Sequence, residues 1–595
     1  MGLLRPHPLL QLGPPLAPSA IASATVLPAS LTSDEVDAAL EQLEPGTVLQ
    51  RWDFVSLYDP RAALKPSEIR PLRHLSDDAA DAVVEALDLA GVAGRDGLWA
   101  VEEYLTTKES EMGEEGWRKK REEDPVWRFW EEMARAPPDG VAAQGVGKEL
   151  RYTPLEAFEE AMAQPSLAEG QRVFWRFSGQ IFTALMHFSL AGGFSAPRLA
   201  SVMRETAYLT SENREATYKR LLETTLFVLD AMSDMTPVSG RGWRSAFRVR
   251  LLHAQVRRRI AKGKGRVKAY DEREDGLPIN QADLAVVLGA FMIAPIWTIR
   301  RMGISISERE TAAYQACWRH IGYYLGISRT LLTRFYSSTF ATAESFFASL
   351  AFTIFPAGDP PTDFLLTPQY KILSAVCARP PRAQPLSHHI ALCRLCLGPK
   401  FADQLALPPS SLLDDLRVDA EVWAGWALLT FGSVYARLVG RRGRSWEEKR
   451  QRWFRQVFEL LVVWQLGQRR TVFAWRKAEQ HAEKLMEDEG EDSGLEFGEA
   501  AGRRIRKDWM GLMVEMAAVV GGCAVFFAGG GILATKINLS YCSALSLRSS
   551  ADPTSSLLTY ITAPNTPATP QGALKTDQAR GAGGAARVNL VTDEP

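Results

Sequence analysis

Cysteine is scarce in this chain, with six in 595 residues. Secreted scaffolds stapled by disulfides are far denser, so no disulfide framework is expected and a reducing compartment suits the bulk of the chain. Charge of one sign is lacking as well. Lys and Arg number 69 against 70 Asp and Glu, a formal net charge of −1. No global basic field attracts nucleic acid, and none is expected as a partner. Alternating β-branched runs are few, and no repeat of roughly 20 to 50 residues recurs, which argues against a solenoid. Common catalytic signatures are missing too: there is no Gly-rich phosphate loop, no HExxH and no GxSxG elbow.

What is present is helical periodicity. Hydrophobic residues make up 46% of the chain, enough for a large core. Apolar residues recur at helical intervals over Phe174–Ala191, Thr217–Met232, Trp243–Ile260, Gln281–Met302 and Glu308–Leu325. Pro, Gly or capping residues bound each segment, and Ser307 and Glu310 stand at capping-box spacing. The expected fold class is all-α, a large bundle of long helices.

Composition divides the chain further. Residues 1–33 contain no acid, are rich in Pro, Ala and Leu, and read as a disordered leader. Residues 34–150 read as a charge-rich helical extension, 151–480 as the main helical domain and 481–508 as a charged linker. Met516 to Ala534 is an unbroken apolar and glycine run, and Trp509 to Val514 extend it, with Glu515 the one charge. A bilayer core needs about 20 apolar residues, so 509–536 is expected to be a transmembrane helix. Arg503, Arg504, Arg506 and Lys507 precede it and favour a cytoplasmic N-flank. Residues 537–595, rich in Ser, Thr, Pro, Ala and Gly, read as a disordered tail.

Two places carry residues suited to chemistry. Cys393 and Cys396 form a single CxxC just after His388 and His389. A zinc site would use those four, but a lone pair in apolar surroundings reads more readily as buried thiols. The second place is Val249-Arg250-Leu-Leu-His253-Ala254-Gln-Val-Arg257. On a helix Arg250, His253 and Arg257 share one face, beside an apolar one formed by Phe247, Leu251 and Ala254. A neutral imidazole on an apolar helix is a haem iron ligand or an ordinary packed histidine, and flanking arginines pair with haem propionates or with acids.

Five segments in order add a resemblance: Arg220-Leu-Leu-Glu-Thr224-Thr225; the His253 segment; Gly276-Leu-Pro278-Ile-Asn280-Gln281-Ala-Asp283-Leu284; Trp318-Arg319-His-Ile-Gly322-Tyr-Tyr-Leu325-Gly326-Ile327; and Leu397-Gly398-Pro-Lys-Phe401-Ala402-Asp403-Gln-Leu405-Ala-Leu-Pro408. Together they make residues of about 165–400 resemble the catalytic domain shared by MpaB and rubber oxygenase (latex-clearing protein). The resemblance implies a helical bundle enclosing a b-type haem, with His253 as axial iron ligand and Arg250 and Arg257 beside the cofactor. It implies catalytic roles for Arg220 and Thr224 near the haem and for Glu205 as a base. Where rubber oxygenase has a lysine before the threonine, this chain has Glu223, so rubber cleavage itself is not carried over.

The expected function is a haem b-dependent oxygenase that cleaves a carbon–carbon double bond of an apolar, isoprenoid-like substrate with O2. Its expected location is a membrane, that of the endoplasmic reticulum by the resemblance, with the catalytic domain cytoplasmic. A haem sensor or electron carrier, or a haem-free scaffold of the same fold, are the alternatives.

Overall fold

The computed structural model describes residues 9–13, 15–89, 96–143, 166–206, 214–263, 267, 270–337, 339–355, 360–380, 382–466 and 500–522. The chain divides into two units, Met1–Ala518 and Val519–Pro595. All that follows concerns the first, which is predominantly helical.

The helices that build the site are α1 (Asp78–Leu89), α2 (Pro125–Ala134), α3 (Leu167–Arg176), α4 (Ser178–Ala184), α5 (Pro197–Thr206), α6 (Arg214–Ala231), α7 (Arg241–Ala261), α8 (Gln281–Met292), α9 (Ala294–Arg301), α10 (Glu308–Tyr324), α11 (Phe340–Ile354), α12 (Leu386–Leu397), α13 (Leu412–Val439) and α14 (Arg441–Gln465). Their starts follow from local chemistry. Ser166, Asn280 and Ser307 each close a capping box with the acid three residues on, Glu169, Asp283 and Glu310. Each box satisfies N–H groups that a helix start otherwise leaves unpaired.

Two of the helices expected from periodicity are divided. The segment from Phe174 to Ala191 breaks at Phe177 and again after Ala184, where the backbone becomes a π-helix over Leu185–Gly192. The segment from Gln281 to Met302 breaks at Ile293. Pro295 sits in the first turn of α9, where its missing N–H costs nothing, whereas inside one continuous helix it would remove a hydrogen bond and clash.

The N-terminal region departs from expectation. Within the supposed disordered leader, Leu10–Leu12 (β1) pairs in parallel with Phe54–Leu57 (β4), and Thr25–Val26 (β2) pairs in parallel with Val48–Arg51 (β3). β3 and β4 are antiparallel, giving a four-stranded sheet of order β1-β4-β3-β2. Leu10, Leu12 and Phe54 are buried in the main core, and Val55 is also buried. Residues 9–13 and 15–33 are therefore placed on the domain, because burial of those side chains offsets the entropy of fixing the strands. The extension 34–150 likewise carries β3 and β4 among its helices.

Residues 500–522 are helical, so helix begins within the segment expected to be linker. Its Trp509 stacks on Trp453, and Leu512 O accepts from Trp446 Nε1 at 3.1 Å. The remainder of the apolar run, 523–536, and the tail 537–595 lie outside the described residues.

α3 and α10 approach closely at Gly170. A Cβ there would lie 2.4 Å from Ala313 O and 2.4 Å from Cys317 Cβ. Gly170→Ala should therefore destabilise the chain by about 1–3 kcal/mol, as expected for overpacking a dense core. Urea unfolding measures this, and an unchanged midpoint would contradict the packing described.

Candidate active site

The position of the site is set by α7. Arg250 is buried and forms a bidentate pair with Asp77, Nε to Oδ2 at 2.7 Å and Nη2 to Oδ1 at 2.9 Å; its Nη1 donates to Glu132 Oε1 at 3.0 Å. Its guanidinium also lies over the Phe129 ring, 4.9 Å from the centroid. Two turns on, Arg257 donates from Nε to Asp81 Oδ1 at 2.8 Å and from Nη1 to the Ile279 carbonyl at 3.1 Å. Asp77 and Asp81 lie one turn apart at the start of α1, so this side of α7 is clamped by charge.

Val249, Leu252, His253 and Val256 line a cavity of about 910 Å³. The cavity is mainly apolar, walled by Phe188, Phe227, Leu284, Val287, Phe291, Trp297, Trp318 and Phe347 among others. Its size falls at the upper end of the roughly 300–1,000 Å³ usual for small-molecule sites.

The expectation that Arg250, His253 and Arg257 act together is thus corrected. Only His253 lines the cavity. The two arginines are committed to Asp77, Glu132 and Asp81, and drawing Arg250 away would leave the buried Asp77 without its partner. They position α7 rather than contact a cofactor.

Burial, reinforced by the nearby Arg257 charge, pushes the His253 imidazole down to about 4. It is therefore neutral at physiological pH, the form that ligates iron. Its Nδ1 is buried and has no hydrogen-bond partner among the described residues, which costs about 1–3 kcal/mol. A neutral imidazole with an unpartnered nitrogen, on the wall of a large apolar cavity, fits a haem group.

The remaining expected residues also reach this cavity. Arg220 and Thr224 line it from α6 and Glu205 from α5. Arg220 Nη1 donates to Glu223 Oε2 at 2.6 Å, and Thr224 Oγ1 donates to the Arg220 carbonyl at 3.1 Å. Glu205 is buried and accepts from Val267 N at 3.1 Å. Glu223 is 2% exposed, ion-paired to Arg220, and is not a lining residue.

Sequence reasoning missed several lining residues. Asp283 lines the cavity while capping α8 and pairing with Arg198 at 2.7 Å. Phe54 reaches it from β4, and Trp318 is both packed on Phe291 and a lining residue. No periodicity in the sequence marks a strand residue as belonging to a helical pocket.

Cys393 and Cys396 are buried in the core, where burial pushes the Cys396 thiol up to about 12 and the Cys393 thiol well above its usual range. Metal-ligating thiolates are disfavoured there. Their neighbour His389 instead meets His187 of the π-helix, Nδ1 to Nε2 at 3.1 Å, and His187 Nδ1 lies 2.9 Å from the Thr183 carbonyl.

Residues 175–430 match the family described as ER-bound oxygenase mpaB/B'/Rubber oxygenase, catalytic domain. This segment, under half of the chain, is similar to that catalytic-domain family. A similar solved structure is that of latex clearing protein LCP in the closed state, with 17% identity and a TM-score of 0.40, covering 62% of this chain and 87% of that one. No curated protein matches the chain.

Two tests follow from the site. Arg250→Met should cost about 3–5 kcal/mol in urea unfolding, because Asp77 is left buried without its partner, and adding Asp77→Asn should recover part of the loss. Loss of a bound cofactor without loss of stability would instead return Arg250 to the cofactor. For the histidine pair, burial pushes His187 down to about 3 and His389 to about 4, from an ordinary 6.5. The unfolded chain then binds more protons between about pH 6.5 and 4, so stability falls as pH drops through that window. A His187→Gln, His389→Gln double variant should show a shallower fall, and a parallel curve would contradict the assignment.

Proposed function

We propose that this chain is a haem b-dependent oxygenase that cleaves a carbon–carbon double bond of an apolar, isoprenoid-like substrate with O2, giving two carbonyl products. The observation that carries the reading is the neutral, cavity-lining His253, with Arg220, Thr224 and Glu205 on the same cavity. The match of residues 175–430 to the oxygenase family supports it. Haem held by His253 would supply the iron centre at which O2 is taken up and activated.

The chain's own residues do the rest. The apolar wall removes the substrate from water and holds its double bond within reach of the polar group of residues. Arg220 places positive charge at the cavity wall, and its bond to Glu223 fixes where that charge points. The Thr224 hydroxyl is oriented by its bond to the Arg220 carbonyl. Glu205 Oε2, steadied by Val267 N, is the acceptor for an allylic proton of the substrate. With Glu223 tied to Arg220, no carboxylate from that position enters the cavity.

The second reading, a haem protein of the same fold that carries electrons or senses a ligand, is favoured by Glu223 standing where the family's lysine would be. Turnover separates the two.

We also read 509–536 as an anchor that crosses a membrane, supported by its composition. Because Glu515 is held by Tyr435 at 2.9 Å and Arg442 at 3.1 Å, the crossing part starts beyond Glu515. The preceding cations put the helical domain on the cytoplasmic side, and the family description favours the endoplasmic reticulum.

Haem-loaded protein given an unsaturated isoprenoid should consume O2, and labelled oxygen should appear in both carbonyl products. Thr224→Val and Arg220→Leu should lower turnover by about 10- to 1,000-fold while haem content holds, the range for removing one preorganised polar group. Full turnover in both variants would remove these residues from the chemistry, and no turnover by the native protein on any such substrate would favour the electron-carrier reading.

A further inference from the structure

Among the described residues two helical stretches, α8 with α9, and α13, are long and apolar enough to cross a membrane by length and composition, and they are placed very differently. Gln281–Arg301 is mostly buried in the core, whereas only 17% of the apolar window in α13 is buried. Leu412, Leu416, Trp423, Val434 and Leu438 fall on one face of α13, with Trp426 beside them. Leu412 and Leu438 are 64% and 79% exposed, Trp423 and Trp426 46% and 39%. The stripe runs along a 28-residue helix, about 40 Å at 1.5 Å per residue, and is interrupted by Asp419 and Thr430, so its cations gather at the C-terminal end while the N-terminal half carries an acid. An apolar strip of that extent is unusual on a soluble surface and marks a contact.

The opposite side of α13 is committed to protein. Val418 packs with Ala391 and Leu392 of α12, Leu429 is in the main core, and Gly432 abuts α14, where a Cβ would lie 3.1 Å from the Trp446 ring. A helix tied down along its length cannot cross a bilayer by itself; it can only lie in the plane of one.

Charge selects among occupants. Arg437 lies on the stripe, and α14 begins next to its end with exposed Arg441 and Arg444. Tryptophans on an apolar face with cations at its border are the pattern of a helix seated at the headgroup level of an anionic membrane.

We propose that the outer face of α13 is a membrane-docking surface. It lies in the interface of an anionic bilayer, with Trp423 and Trp426 among the acyl-chain ends and Arg437, Arg441 and Arg444 at the headgroups. The inference stands apart from the haem chemistry and from the C-terminal anchor. It gives the domain its own contact with the phase in which an apolar substrate dissolves.

The full chain should float with vesicles of phosphatidylcholine and phosphatidylserine, and less with phosphatidylcholine alone. Trp423→Gln with Trp426→Gln should lower partitioning about tenfold on both compositions. Arg441→Gln with Arg444→Gln should lower it about tenfold on the anionic vesicles alone. Hydrogen exchange locates the contact without any substitution: vesicles should protect peptides within 412–439. Protection confined to 509–536, with the tryptophan variant floating like native protein, would overturn the proposal and leave the anchor standing. A native dimer without vesicles that the tryptophan variant converts to monomer would overturn it in favour of a second copy of the chain.

Discussion

The architecture of this site depends on the clamp between α7 and the start of α1. Two arginines two turns apart meet two aspartates one turn apart, and both arginines are buried. Three of these four charges are buried and Asp81 is partly so; burying charge is costly unless each finds its partner, so the pairs strongly favour one docking of α7. That docking leaves Val249, Leu252, His253 and Val256 against the cavity. The same event that satisfies the charges thus presents an imidazole to an apolar space and strips it of water, which keeps it neutral.

Around that wall the remaining elements supply shape. The break at Pro295 lets Leu284 and Trp297 line one cavity from two helices, where a straight helix would carry them along one axis. The Arg220–Glu223 pair repeats the logic of the clamp on a smaller scale, using a buried acid to fix the direction of a cationic group. The outer surface follows a different rule. On α13 apolar side chains are left facing outward, which costs free energy in water and suits a contact surface.

Much of the helical core was legible in the sequence, because capping boxes and apolar periodicity are local signals. Glu308–Tyr324 starts where Ser307 and Glu310 indicated. The helix breaks were less legible, since periodicity continues across Pro295 and across the change to a π-helix. The small sheet escaped notice because its strands are two to four residues long, too short for alternation to register. His253, Arg220, Thr224 and Glu205 do converge on one cavity. The ion pairs of Arg250 and Arg257 were not legible because their aspartate partners lie more than 170 residues earlier; the sequence shows a cation near His253 but not the acid that pairs with it.

The central claim, that His253 presents a neutral imidazole to a haem in this cavity, is tested most directly by absorption spectra of the haem-replete protein, oxidised and reduced, beside His253→Ala. The account predicts a Soret band in the native protein that is lost in the variant while the fold, followed by circular dichroism, is kept. A full Soret band in the variant, or none in the native protein, would contradict it.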